Sequence, residues 1–308
     1  MKSKGKVFYA VFACCLIVSF GAATADAAFE QARKPMTNPV YFDLAVPTTY
    51  IHALYAYHTL PDEISTTVGD VPLDGDVNIY ALRIEYALNE TFSLLAAKDG
   101  YIDFDPDDTL SSETGWADIA AGARWAFLYE PDDQMAASLK VLVEFSTGDE
   151  EVFQGNGDGT ITPGVDFLKL CGDWQFAASV GLTYPLDDDE ESTVFYDSWH
   201  VSYAVAEKFF PMVELNHWYV VSEGDGEADF DKQGGTLVPA VATFEGGDLF
   251  NLGAENSDDN ESIVTLGLGL RCRLTDALDL GASYEFPLTD EEENLMDTRL
   301  TVDLVWRF

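Results

Sequence analysis

The chain has 308 residues and a formal net charge of −39, from 55 acidic against 16 basic side chains. A chain this acidic repels polyanions, which excludes nucleic acid as a partner. Aromatic residues make up 13% of the sequence, yet no stretch after Ala27 stays apolar for the ~20 residues a membrane helix needs, which excludes a helical membrane protein.

Lys2, Lys4 and Lys6 precede an apolar run from Val7 to Phe20 and then Ala25-Asp26-Ala27, the pattern of a secretory signal peptide over 1–27 with cleavage after Ala27. Cys14 lies inside the apolar run instead of at its end, which disfavours a lipid-anchored alternative. Residues 28–48 then form a short periplasmic lead-in containing Pro35, Pro39 and Pro47, with partial entry into the barrel as the alternative and a conformation the pattern leaves open.

From residue 49 onward apolar and polar residues alternate with a period of two. The spacing predicts strands over 49–59, 75–88, 91–103, 115–128, 134–146, 163–172, 174–185, 193–206, 209–222, 262–273, 277–287 and 296–308. In the last of these Leu300, Val302, Leu304, Trp306 and Phe308 share one face, and Arg299, Thr301, Asp303 and Arg307 share the other. One such strand fits a soluble sandwich with its apolar face inward, or a membrane barrel with that face outward. The connections decide between them, because they alternate strictly between short and long. Leu88 to Glu90, Tyr129 to Asp133, Gly172 to Asp173, Glu207 to Lys208 and Leu274 to Asp276 are short and belong on the periplasmic side; the long ones begin near Pro61, Phe104, Thr147, Leu186, Glu223 and Pro287. The expected fold is therefore all-β: a closed, antiparallel, up-and-down transmembrane barrel of twelve strands over 49–308.

The long connections hold most of the acidic residues and a single basic one, Lys232. Asp187-Asp188-Asp189-Glu190-Glu191 and Asp290-Glu291-Glu292-Glu293 would be very costly in hydrocarbon and are well solvated outside it. The stretch from Glu223 to Glu261 exceeds a simple turn and has the length to fold over or into the barrel mouth. Tyr55, Tyr57, Trp125, Phe127, Trp174, Tyr184, Trp199, Tyr203, Tyr284 and Trp306 fall near strand ends, as interfacial girdles do.

The faces opposite the apolar stripes give the candidate lumen: Arg83, Glu85, Asp118, Arg124, Lys140, Glu144, Glu214, Arg271, Arg273, Asp279, Glu285, Arg299, Asp303 and Arg307. Their charges nearly balance. Opposed side chains on neighbouring strands lie within about 5 Å, so those on the last three strands can form a network that holds the wall together. The same groups could instead set the field of a narrow aqueous channel. Twelve strands lie between small barrels filled by side chains and large ones with an open channel. An acidic mouth raises the local cation concentration within the ~8 Å screening length, so a mild cation preference is expected, with reversal potentials as its check.

Other sites are weakly supported. His52, His58, His200 and His217 sit on strands with no nucleophile at a matching spacing, and no G-x-S-x-G turn exists, so an enzyme is not expected. Gln154-Gly155-Asn156-Gly157-Asp158-Gly159-Thr160-Ile161 resembles part of a calcium loop, but Gln154 and Val165 stand where its first aspartate and last glutamate belong; a tight turn at a loop tip is the expected reading, without a metal. Cys171 and Cys272 lie on different strands and are expected to be free thiols. No cofactor is expected.

Lys98-Asp99-Gly100-Tyr101-Ile102-Asp103, Gly115-Trp116-Ala117-Asp118-Ile119-Ala120, the run from Leu266 to Phe286 and the terminal Thr301 to Phe308 resemble a family of bacterial outer-membrane, porin-like barrel transporters that includes proteins grouped under a phenol-degradation meta-pathway label. The end of the chain, with Trp306 and Phe308, resembles the signal read by the barrel assembly machinery. The resemblance implies the outer membrane of a Gram-negative-type bacterium and passage of small, hydrophobic or aromatic solutes, but supplies no binding residue. The alternative is a non-conducting structural or surface-interaction barrel whose acidic loops bind cations or lipopolysaccharide.

Overall fold

A computed structural model describes residues 29–257, 262–290 and 294–308; the expected signal peptide and the run Glu291–Glu293 lie outside the described residues. Twelve strands run up and down: β1 Tyr50–Thr59, β2 Gly75–Asn89, β3 Phe92–Lys98 continued by Tyr101–Pro106, β4 Glu113–Trp116 continued by Ile119–Glu130, β5 Met135–Phe145, β6 Thr160–Cys171, β7 Trp174–Pro185, β8 Thr193–Tyr203, β9 Phe209–Ser222, β10 Ile263–Thr275, β11 Leu278–Pro287 and β12 Thr298–Arg307. Each pairs antiparallel with the next. Strand β1 also pairs with β12, Tyr50 facing Glu85 on one side and Arg307 on the other, so the sheet closes and leaves no edge.

The alternation read from the sequence is the alternation of the wall. On β12 Leu300, Val302, Leu304 and Trp306 are 38–52% exposed, while Arg299, Thr301 and Asp303 are at most 3% exposed. An apolar face turned outward around the whole circumference is stable only in hydrocarbon, and closure satisfies every ladder hydrogen bond there. Trp125, Phe127, Trp174, Tyr184, Trp199, Tyr284 and Trp306 all point outward. Among the described residues no helix is long and apolar enough to cross a membrane. Cys171 and Cys272 are free.

The differences from the expected strands are local. Strand β8 ends at Tyr203 instead of residue 206, and β6 starts at Thr160 instead of 163. Strands β3 and β4 reach further toward the long loops than their patterns show, because each is broken once. At Asp99-Gly100 an extra residue enters β3, and the Asp99 carboxylate accepts the Leu82 N–H at 2.7 Å, doing the work of a ladder carbonyl. Gly100 has φ +151°, and a Cβ there would come within 3.1 Å of the Tyr80 carbonyl oxygen. At Ala117-Asp118, β4 breaks so that Asp118 can accept the N–H groups of Thr147 and Gly148, both at 2.7 Å, and of Gly155 at 3.0 Å.

Twelve strands leave more room than their own side chains fill, and two chain segments occupy it. Residues 29–48 do not stop at the barrel's periplasmic end; they enter it, further than a partial entry, and thread its interior. Phe29, Phe42 and Val46 pack against Leu168, Leu170 and Ala177 of the inner wall. At the opposite end the loop after β9 turns inward, and its Phe230, Phe244, Phe250 and Leu252 bury themselves with Phe104 and Phe153.

Candidate functional site: a lumen closed at two levels

The first closure, nearer the short turns, is polar and centres on Asp43. Its carboxylate sits among Lys34, which it pairs with directly, Arg83 at 3.2 Å and Arg124 at 2.9 Å. Arg124 also grips Glu85 at 2.7 Å, and Lys140 holds Asp166 at 3.0 Å. All of these side chains are nearly or fully buried, so each charge depends on its neighbours. Further up the segment, Glu214 accepts the N–H groups of Met36 at 3.1 Å and Thr37 at 2.7 Å, with His200 2.6 Å away on its other side. The Tyr41 carbonyl accepts Lys140 at 2.6 Å, Gln175 donates to the Arg33 carbonyl at 2.6 Å, and Arg271 donates to that of Lys34 at 3.0 Å. An irregular segment buried in this way must find partners for its backbone, and the wall supplies them.

The second closure, at the long-loop end, is apolar with one strong ionic tie. Arg299 of β12 binds Asp248 with two parallel hydrogen bonds of 2.9 and 2.8 Å, and both side chains are buried. Glu245, in the same loop, accepts Ser192 Oγ at 2.6 Å and the N–H groups of Leu252 at 2.6 Å and Ala254 at 3.0 Å. Burial pushes its carboxyl above the usual range. At the outer surface Lys232 bridges Glu113 at 3.0 Å and Glu151 at 2.7 Å, and hydrogen bonds to these carboxylates raise its ammonium above the ordinary value.

Between the two closures lies an apolar chamber of about 40 Å³. Leu54, Ala56, Ile79, Ala97 and Ile102 form its wall, Val40 its floor and Leu249 its roof, with Arg83, Lys98 and Arg299 at the margin. A larger cavity of about 320 Å³ lies beside the N-terminal segment at the short-turn end, among Phe29, Leu44, Val46, Tyr50, Arg273 and Arg307.

All fourteen charged residues selected from the alternation point inward. Arg83, Glu85, Arg124 and Lys140 form the Asp43 network, and Glu214 anchors the segment above it. Arg271 binds Asp303 at 2.9 and 2.8 Å, with His52 2.8 Å from the same carboxylate. Arg307 and Arg273, each partly exposed at the short-turn rim, share the buried Asp279 at 2.7 and 3.9 Å. Glu285 lies 3.7 Å from Arg299, and Glu144 binds Lys98 at 2.5 Å. Asp118 holds loop backbone, as described. These groups do not form a ring around open space: nearly every one reaches a plug or a neighbouring strand.

The stretch from Gln154 to Gly159 turns tightly, with positive φ at Gly155, Gly157 and Gly159. It is not a bare tip, however. Gln154 donates to the Leu249 carbonyl at 2.8 Å, and Asn156 donates to those of Glu190 and Asn251, both at 3.1 Å, so these side chains tie three loops together. His58, His200 and His52 are buried in the wall, and His217 pairs with Asp197 at 2.9 Å.

Sequence reasoning missed Asp43, Lys34, Asp248 and Asp166. The first three lie in segments without periodicity. Asp166 alternates correctly, but its inward neighbours Leu168 and Leu170 are apolar because they pack on the N-terminal segment, which blurs the polar face of β6.

Residues 88–298 match the family model described as "Putative MetA-pathway of phenol degradation". No curated protein sequence matches the chain. Among solved structures, an outer membrane channel from Pseudomonas putida F1 is similar with a TM-score of 0.59 at 15% identity, over 90% of this chain and 100% of that one. The NanC porin is similar with a TM-score of 0.50 at 8% identity, over 84% of this chain and 100% of its own. At these identities the likeness is one of fold.

Proposed function

This chain belongs to that phenol-degradation family and has the fold of outer-membrane channels, and from there we propose that it passes small solutes of low polarity across the outer membrane, closed at rest by its N-terminal segment and its longest loop. The apolar chamber between the closures carries this reading. A polar solute entering it would give up most of its hydration against an apolar wall, with Arg299 already paired to Asp248 and only the free nitrogens of Arg83 and the Thr301 hydroxyl at the margin to replace it, whereas a small apolar solute gains on leaving water. The acidic loops add a mild cation preference at the mouth. They also suit divalent cations that bridge to lipopolysaccharide, and Trp306 and Phe308 suit the barrel assembly machinery.

The double occlusion favours a second reading, a non-conducting barrel with a surface role. Single-channel recording of the refolded protein separates the two. A channel gives small, brief conductance steps with reversal potentials on the cation side in a salt gradient. Silence from the native barrel and from barrels with weakened closures would leave only the second reading, and reversal potentials on the anion side would remove the cation preference.

A further inference from the structure

Glu191, in the loop between β7 and β8, is turned inward and only 5% exposed. It faces a cavity of about 30 Å³ walled by Tyr41 of the N-terminal segment, Lys98 of β3, Glu144 of β5, Thr160 of β6, Trp218 of β9 and Asp248 of the long loop. The charged groups around it are already committed. Lys98 binds Glu144 at 2.5 Å, and Asp248 is held by Arg299 at 2.8 Å. Asp118, at the break in β4, is occupied by loop N–H groups, as is Glu245 of the long loop, and Glu190 accepts the Gly157 N–H at 2.8 Å. Glu191 Oε2 has no hydrogen-bond partner, nor has Thr160 Oγ1. The carboxylate also fills the space that a side chain at position 157 would need: a Cβ on Gly157 would fall 2.6 Å from that oxygen.

We propose that Glu191 is a proton-operated latch of the cap over the lumen, closed when its carboxyl is protonated and driven outward when it ionises beside Glu144. Its neighbours carry the movement to the rest of the cap. Asn156 bonds the carbonyl of Glu190, Ser192 Oγ bonds Glu245 at 2.6 Å, and Asn251 bonds the Ser192 carbonyl at 2.9 Å, so displacing residue 191 strains the ties to two further loops.

Burial first and the Glu144 carboxylate second push the Glu191 carboxyl up to about 8. In an open cap, in water, it returns to the ordinary 4.5. Between these values the closed cap binds more protons than the open one. Closure is therefore most favoured below pH 4.5, weakens by up to tenfold per pH unit as pH rises to about 8, and changes no further above that.

The latch is a property of the cap and is read without relying on conduction. Trp218 lines the same cavity, so its emission, taken as the difference between the native protein and Trp218→Phe in lipid vesicles, is followed from pH 4 to 9. A transition in the native protein that vanishes in Glu191→Gln supports the latch. Glu144→Gln frees Lys98 for Glu191 and should move the midpoint down by a unit or more. A transition unchanged in Glu191→Gln, or no transition in the native protein, overturns it. A midpoint lowered by millimolar calcium would mean that the cavity takes a metal ion in the proton's place, and would also overturn it. Titration of Trp218 in a barrel that never conducts would uphold the latch while removing the channel reading.

Discussion

Replacing Asp43 with alanine is expected to release the N-terminal segment from the barrel. The substitution removes the one carboxylate shared by Lys34, Arg83 and Arg124. Arg124 keeps Glu85 at 2.7 Å, but Lys34 and Arg83 are left buried without a counter-charge. Removing one partner of a buried ion pair typically costs about 3–5 kcal/mol, most of it the penalty on the charge left behind. The segment can escape that penalty by withdrawing into water, because the wall keeps its own pairs, Arg124 with Glu85 and Lys140 with Asp166. Of the remaining hydrogen bonds, neutral ones such as that of Gln175 contribute only about 0.5–1.5 kcal/mol net and those to a charged group such as Glu214 about 1.5–3 kcal/mol, and water can replace them. Trypsin applied from the short-turn side should then cleave after Arg33, which the native barrel shields; the Lys34–Pro35 bond resists trypsin in either state. Asp43→Asn should release the segment less, since its amide oxygen still accepts from Arg124. A segment that stays protected in Asp43→Ala would show that packing of Phe42 and Val46, not charge, holds it.

Asp248→Ala is expected to loosen the other closure by a similar amount, about 3–5 kcal/mol, because Arg299 would then rely on Glu285 at 3.7 Å and His58 at 3.3 Å. The loop has no second ionic tie to the wall at this depth among the described residues, and Lys232 holds it only at the exposed rim. Proteolysis within 223–257 should rise several-fold, while protection of Arg33 stays native. The two effects should be separable, because the closures touch opposite sides of the chamber and share no ion pair.

The wall of this protein was legible in its sequence and the contents were not, for a physical reason. A strand with one face in lipid and one in the lumen must alternate, so Leu300 to Phe308 announces both its conformation and its facing. The strict exchange of short and long connections then fixes closure and orientation. The departures arise where a side chain replaces a ladder partner, as Asp99 does, or where a strand breaks to aim a carboxylate at a loop, as at Asp118; neither changes the period enough to be seen. The fourteen inward charges follow from the same alternation. Their partners do not, because Asp43 and Asp248 lie in segments whose placement depends on the cavity they fill. The prolines of the N-terminal segment mark irregular chain, and the length of the 223–261 stretch marks a loop that must go somewhere. Neither names the residue it will meet. Glu191 looks in sequence like one more solvated acid in a run of five, and only the fold distinguishes it from Asp187, Asp188 and Asp189, whose carboxylates stay at the surface.

Two independent closures stand in series across one lumen, with the chamber between them. Single-channel conductance of Asp43→Ala, Asp248→Ala and the double variant in the same planar bilayers tests it most directly. Closures in series predict that each single variant stays near the native conductance, limited by the intact closure, and that the double variant exceeds the sum of both increments several-fold. A double variant no more conductive than the better single one would rule out closures in series.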